Sequence, residues 1–181
     1  SPSPNHKDAG ILLSANGGLR LGEVCALRVS DIDFQNGTVS IEHAVQRVRQ
    51  NGKTKLIIQT PKSEKSVRVI PLPNDMMAYL KKAVSGLSQN TYILTGRTDK
   101  PMEPRTYQYY FESVLRRCGI RKRSYHTLRH TYATRCIENG IDIKSVSEML
   151  GHADITTTLR LYVHPSMDSK RQAVQKISFL G

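Results

Sequence analysis

The sequence predicts an α+β domain, mainly α-helical, with a small antiparallel β-sheet placed after the first helices. Capped segments with helix-spaced apolar residues occupy both ends of the chain, while one stretch, residues 38–72, switches to period-two alternation. The chain has 181 residues, 38% hydrophobic and 23% charged. That length suits one domain that buries about 70% of its unfolded surface around a single core.

The opening SPSPNHKD reads as a linker or cloning scar, so residues 1–8 are expected to lie outside a domain spanning 9–181. ILLSA and RLGEVCAL read as two short helical pieces broken by Gly17 and Gly18. TVSIEHAVQRV, TKLIIQT and KSVRVIPL then alternate like strands of one sheet, with turns at RQNGK and PKSE, and Asn51-Gly52 is a strong hairpin signal. Helices return after residue 73: one is capped by Asn74 and stopped by Gly86, and another has Pro104 near its start and Gly119 at its end. Thr127 is the expected cap of a helix that runs to Glu138 and stops at Asn139-Gly140. DIKSVSEMLG ends on Gly151, DITTTLRLYVH starts with Asp154 as cap, and SKRQAVQKI is a final amphipathic piece suited to docking.

Twenty-seven Lys and Arg against 15 Asp and Glu leave a net charge of +12, an excess that attracts polyanions, nucleic acid first among them. The cations cluster in RRCGIRKRSYHTLRH and KTKLIIQTPKSEKSVR. No apolar run approaches the roughly 20 residues of a membrane span, and no secretory signal is recognisable. Cys25, Cys118 and Cys136 lack paired spacing and lie in apolar helical patterns, which points to reduced thiols and a cytoplasmic location.

Four places carry polar residues that a core pattern does not need. In SYHTLRHTYATRC, His126 precedes the expected cap and Arg129 falls in the first helical turn, where the helix dipole disfavours a cation unless an anion arrives. In GGLRLGEV the glycines permit a tight turn before Arg20, whose planar fork suits phosphate oxygens; a surface pair with Glu23 is the plainer reading. Lys62, in TPKSEKSVRV, sits at the turn between two predicted strands, where it either reaches into a DNA groove or towards a scissile phosphate or is a solvated turn residue, and Lys65 is its rival. In LGHADITTTLRLYVH, His152 follows the glycine that ends a helix and Tyr162 comes ten residues later; a helix-end cation and a core aromatic are the alternatives.

The order arginine, hairpin lysine, His-x-x-Arg, Gly-His, tyrosine resembles the catalytic domain of the tyrosine recombinases, the integrases of phages and conjugative transposons. The resemblance runs from about Ala9 to Gln175 and rests on GLRLGEVCALRVSDID, HTLRHTYATRCIENGIDIKSVSEMLGH and TTTLRLYVH. Gly17 stands where that family often has threonine, and the spacing from His152 to Tyr162 is one residue longer than in many members, although no other tyrosine lies downstream of His152.

The resemblance implies the tyrosine recombinase catalytic-domain fold, with N-terminal DNA-binding domains outside this chain. It implies that Tyr162 attacks a scissile phosphate to give a 3′-phosphotyrosyl link, that Arg20 and Arg129 clamp the developing charge, and that His152 adds a hydrogen bond. Lys62 would protonate the departing 5′-oxygen, His126 would assist proton transfer, and Glu23 would orient Arg20. Neither metal nor other cofactor is implied, and His130 and His164 have no ligand spacing. The implied partners are double-stranded DNA recombination sites, a homo-tetramer on that DNA, and accessory directionality or DNA-bending proteins. A type IB topoisomerase shares the attack chemistry, and a DNA-binding domain without catalysis follows if Tyr162 is buried.

Overall fold

Asn5 starts the first helix by accepting a hydrogen bond from the Lys7 amide at 2.9 Å, so α1 (His6–Gly17) begins three residues ahead of Ala9. The computed structural model describes residues 5–50, 52–60, 67–152 and 154–159, together with Met167, Arg171, Val174 and Gln175. α1 buries Ala9, Leu13 and Ser14, and Gly18 closes it with φ of 67°, a left-handed conformation that other residues adopt at a cost. The chain turns there into α2 (Leu21–Ala26), whose Val24 and Cys25 enter the same core as Leu13 and Leu19. The two helical pieces of the sequence reading are thus present, and the first is longer than expected.

The period-two stretch makes two sheets, where the sequence suggested one. β1 (Ile32–Asp33), β2 (Thr38–Ile41) and β5 (Arg68–Pro71) form a three-stranded antiparallel sheet with β2 in the middle and Val39 opposite Ile70. β3 (Ala44–Gln50) and β4 (Lys53–Gln59) form a separate hairpin, with Gln50 opposite Lys53. Its two-residue turn contains Gly52 at φ of 74°, as the Asn51-Gly52 signal requires. TVSIEHAVQRV therefore divides between two strands that serve different sheets. Among the described residues β4 pairs with β3 and β5 with β2, and Lys62 lies between them outside the described residues.

α3 (Asn74–Ala83) starts one position ahead of expectation, with Pro73 at the cap, and buries Met76, Met77 and Leu80. α4 (Pro104–Arg117) has Pro104 in its first turn and is capped by Glu103, whose carboxylate accepts from the Thr106 amide. Tyr107 and Phe111 of α4 pack on Tyr125 with ring centroids 5.7 and 5.1 Å apart, and Tyr125 also donates to the Gly10 carbonyl of α1. That anchored ring fixes where α5 (His126–Glu138) begins. Thr127 lies inside this helix and is not its cap: the Tyr125 backbone takes that position without a side-chain bond.

α6 (Ile143–Leu150) is capped by Asp142 and closed by Gly151 at φ of 62°, and α7 (Thr156–Leu159) follows, with Asp154 accepting from the Thr156 amide as expected. The main core gathers α1, α2, α3, α4 and the three-stranded sheet; a smaller cluster of Ala133, Cys136, Val146 and Leu150 joins α5 to α6. Cys25 and Cys136 are buried free thiols, whereas Cys118 is exposed at the end of α4, where the helical pattern had placed it among apolar neighbours. The SKRQAVQKI piece, apart from Arg171, Val174 and Gln175, lies outside the described residues. Among those residues no helix is long and apolar enough to cross a membrane.

Candidate active site

A helix leaves its last carbonyls without intrahelical partners, and their dipoles make that end negative. At the end of α6, three consecutive carbonyls each take a different arginine. Met149 O accepts from Arg68 Nε at 2.7 Å, Leu150 O from Arg129 Nη2 at 2.5 Å, and Gly151 O from Arg20 Nη2 at 3.1 Å. The three arginines come from β5, α5 and the cap position of α2, so three distant segments meet at one helix terminus. His152 is the next residue along the chain.

Glu23 binds two of these arginines. Its Oε1 accepts from Arg20 Nη1 at 2.7 Å and Arg68 Nη1 at 3.0 Å; its Oε2 accepts from the Arg20 amide at 2.7 Å and Arg68 Nη2 at 2.9 Å. Burial alone would raise this carboxyl's pKa, but the hydrogen bond and charge of Arg68, and then Arg20, override it and bring the pKa down to about 2. The Arg20–Glu23 pair is therefore no surface ion pair: Glu23 is 3% exposed, while the Arg20 side chain is 38% exposed. Among the described residues one carboxylate meets three guanidiniums, a positive balance, and Arg20, with two side-chain bonds made, carries five N–H donors in all.

Arg129 has a different compensation from the one its position suggests. Its Nη1 donates to the Gly18 carbonyl at the end of α1 at 2.8 Å, as its Nη2 does to Leu150 at the end of α6. Two helix C-termini thus offset the unfavourable N-terminal position, and no anion is needed for the fold to tolerate it. Burial and the neighbouring Arg20 lower its pKa to about 9, which leaves it charged at neutral pH.

His126, Arg129, Leu150 and His152 line a small cavity of about 50 Å³. The His126 ring meets His130 edge to face, with centroids 4.4 Å apart. Burial first, then Arg129, Arg20 and Arg68, lower the His152 pKa to about 4; burial, His130 and Arg129 lower that of His126. The His152 Nδ1 lies 2.8 Å from Thr158 Oγ1 of α7. A larger open cleft of about 730 Å³ flanks the same helix end and is bounded by Arg68, His152 and Ile155.

Arg20, His126, Arg129 and His152 are thus brought together, with Glu23 behind Arg20. Lys62 and Tyr162 lie outside the described residues. Sequence reasoning missed Arg68 and Thr158. Arg68 carried a signal: in SVRVIP it shares the core-facing register with Ile70, and a charge on the buried face of a strand requires a partner. Thr158 is one of three consecutive threonines, and nothing in the sequence separates it from the other two. Among the described residues no group of three His, Cys, Asp or Glu could hold a metal ion.

Residues 1–169 match the phage integrase family. The chain is 31% identical to a protein named tyrosine recombinase XerC-like from Caldanaerobacter subterraneus subsp. tengcongensis, over 93% of this chain and 48% of that one. It is also 31% identical to tyrosine recombinase XerA of Thermococcus onnurineus, over 91% of this chain and 53% of the relative. The chain thus spans about half the length of the curated relatives it matches. Among solved structures, the Tn1549 transposon integrase in complex with transposon right end DNA superposes with a TM-score of 0.75 at 24% identity, covering 93% of this chain and 58% of that one. The crystal structure of XerA recombinase gives 0.67 at 25% identity, covering 94% and 56%. With a match across nearly its whole length and a tyrosine recombinase catalytic-domain architecture around the three-arginine helix terminus, the chain belongs to the phage integrase family.

Proposed function

We propose that this chain is the catalytic part of a site-specific DNA recombinase or integrase that moves a mobile element by cutting and rejoining DNA strands. The observation that carries the reading is the convergence of Arg20, Arg129, His126 and His152 on the end of α6, within a family whose named members are tyrosine recombinases. The DNA-bound Tn1549 integrase and the exposed cations Arg116, Arg117, Arg121 and Arg123, just ahead of His126, support duplex DNA as the partner.

In this mechanism the Tyr162 hydroxyl oxygen attacks the scissile phosphorus, the bond to the 5′-oxygen breaks, and a 3′-phosphotyrosyl link forms. Tyr162 gives up its proton, with His126 assisting its transfer, and Lys62 protonates the leaving 5′-oxygen. A free tyrosine has a pKa near 10, so attack at neutral pH depends on this help and on nearby cations. Arg20 and Arg129 neutralise the two non-bridging oxygens, and His152 donates to one of them. The covalent link conserves bond energy. A 5′-hydroxyl from a second duplex then displaces tyrosine, which needs neither ATP nor a divalent ion. Four copies acting on paired sites, with accessory DNA-bending or directionality proteins, complete the proposal.

The test is a nicked suicide duplex carrying the cognate site, which traps the covalent adduct. The wild-type chain forms the adduct and Tyr162→Phe forms none. No adduct from folded wild-type protein on that DNA leaves only a DNA-binding role, and adduct with supercoil relaxation but no strand exchange points to topoisomerase action.

A further inference from the structure

The His152 backbone N–H donates a hydrogen bond to the Ser147 carbonyl at 3.1 Å, and its ring meets Thr158. Thr158 is fully buried, and α7 is held in place at its start by Asp154. A threonine hydroxyl has one proton to donate and two lone pairs to offer. Among the described residues, the partner of this hydroxyl is His152 Nδ1, at 2.8 Å.

Two arrangements fit that distance. If the ring donated from Nδ1, the buried hydroxyl proton would have no acceptor among the described residues. If the hydroxyl donates, only lone pairs remain idle. A buried donor without a partner is costlier and rarer than an under-used acceptor, so the second arrangement holds. The ring is also neutral at pH 7, because burial and the surrounding arginines keep its pKa near 4. A neutral imidazole that accepts at Nδ1 carries its proton on Nε2.

We propose that Thr158 is a positioning residue: by donating from Oγ1 to His152 Nδ1 it fixes the Nε2–H tautomer and the ring plane, so that His152 presents a donor to a non-bridging phosphate oxygen. In the other tautomer the ring would present a lone pair to that anion and repel it. The inference rests on the reading of the site as a phosphate-cleaving centre, but the tautomer it specifies exists without DNA.

The experiment has two arms. Long-range ¹⁵N–¹H NMR of the histidine side chains, on DNA-free protein, is read for wild type, Thr158→Val, which replaces the hydroxyl with a methyl of similar size, and Thr158→Ser, which keeps it. Wild type and Thr158→Ser show the His152 proton on Nε2, and Thr158→Val shows a mixture of tautomers. In the suicide-duplex assay, Thr158→Val forms adduct about tenfold more slowly, the lower end of the loss when an orienting partner of a functional histidine is removed. Thr158→Ser stays near wild type, and Thr158→Val adds no further loss to His152→Ala. If Thr158→Val does not fold, Thr158→Ala takes its place. A wild-type proton on Nδ1 overturns the proposal, as does a folded hydroxyl-free variant with an unchanged tautomer and rate. A wild-type chain that shows the Nε2–H tautomer but forms no adduct at all instead refutes the function on which the inference rests.

Discussion

Replacing Glu23 by glutamine keeps the shape of the site and removes the carboxylate that, among the described residues, binds both Arg20 and Arg68. The ordinary glutamate pKa of 4.5 is lowered to about 2 here. At about 1.4 kcal/mol for each tenfold change in proton affinity, the charged form stabilises the fold by about 3 kcal/mol. That agrees with the roughly 3–5 kcal/mol seen when one partner of a buried ion pair is removed. With a urea slope near 2 kcal/mol per molar, Glu23→Gln should lower the unfolding midpoint by about 1.5 M at pH 7. Because the folded-state pKa is lowered, this stabilisation is present above pH 4.5 and is lost as pH falls towards 2. The difference between wild type and variant must therefore shrink as the medium is acidified below about pH 4.5. Arg68→Met should cost a similar amount, and the double variant much less than the two together, because both single changes break the same Glu23–Arg68 pair. A Glu23→Gln difference below about 1 kcal/mol at pH 7, or one that does not shrink in acid, would refute the claim that this carboxylate organises the arginines.

Two further outcomes follow from the same geometry. Gly18→Ala places a methyl 2.6 Å from Tyr132 Cδ1 and 2.7 Å from Leu150 Cδ2, at a φ of 67°, and displaces the carbonyl that Arg129 binds; it should destabilise by about 2 kcal/mol or more in thermal unfolding, and a neutral result contradicts the packing described. An unfolded histidine binds its proton near pH 6.5, whereas His152 does so near 4 and His126 below its ordinary value. Between those limits the unfolded chain holds more protons, so stability falls as pH drops from about 6.5 to 4, and a urea midpoint that stays flat down to pH 5 contradicts it.

Several helix ends were legible from local capping chemistry, although Asn74 lies inside α3 and Pro73 takes its cap. Asp154, Pro104, Asn139 and Gly151 act where their types suggest, and Gly52 makes its two-residue turn. Sheet partners were not legible, because alternation reports which face a residue takes but not which strand lies alongside. TVSIEHAVQRV alternates throughout, yet Ile41 pairs in one sheet and Ala44 in another. The cap of α5 was missed because Tyr125 is held by Tyr107, Phe111 and Gly10, which are distant in sequence. The site was legible as a set of residue types whose order resembles a family. The device that gathers them, three carbonyls of α6 facing three arginines, was not, since backbone acceptors leave no mark in a sequence.

The most direct measurement concerns charge at the phosphate. If Arg20 neutralises a non-bridging oxygen, replacing that oxygen by a methyl group removes the need for it. On an ordinary phosphodiester suicide duplex, Arg20→Ala should form covalent adduct about 100- to 1,000-fold more slowly than wild type, the loss typical of removing one oxyanion donor. On the same duplex with a methylphosphonate at the scissile position, the variant should recover most of that loss. An equal deficit on both substrates, from folded protein that still binds the DNA, contradicts the account.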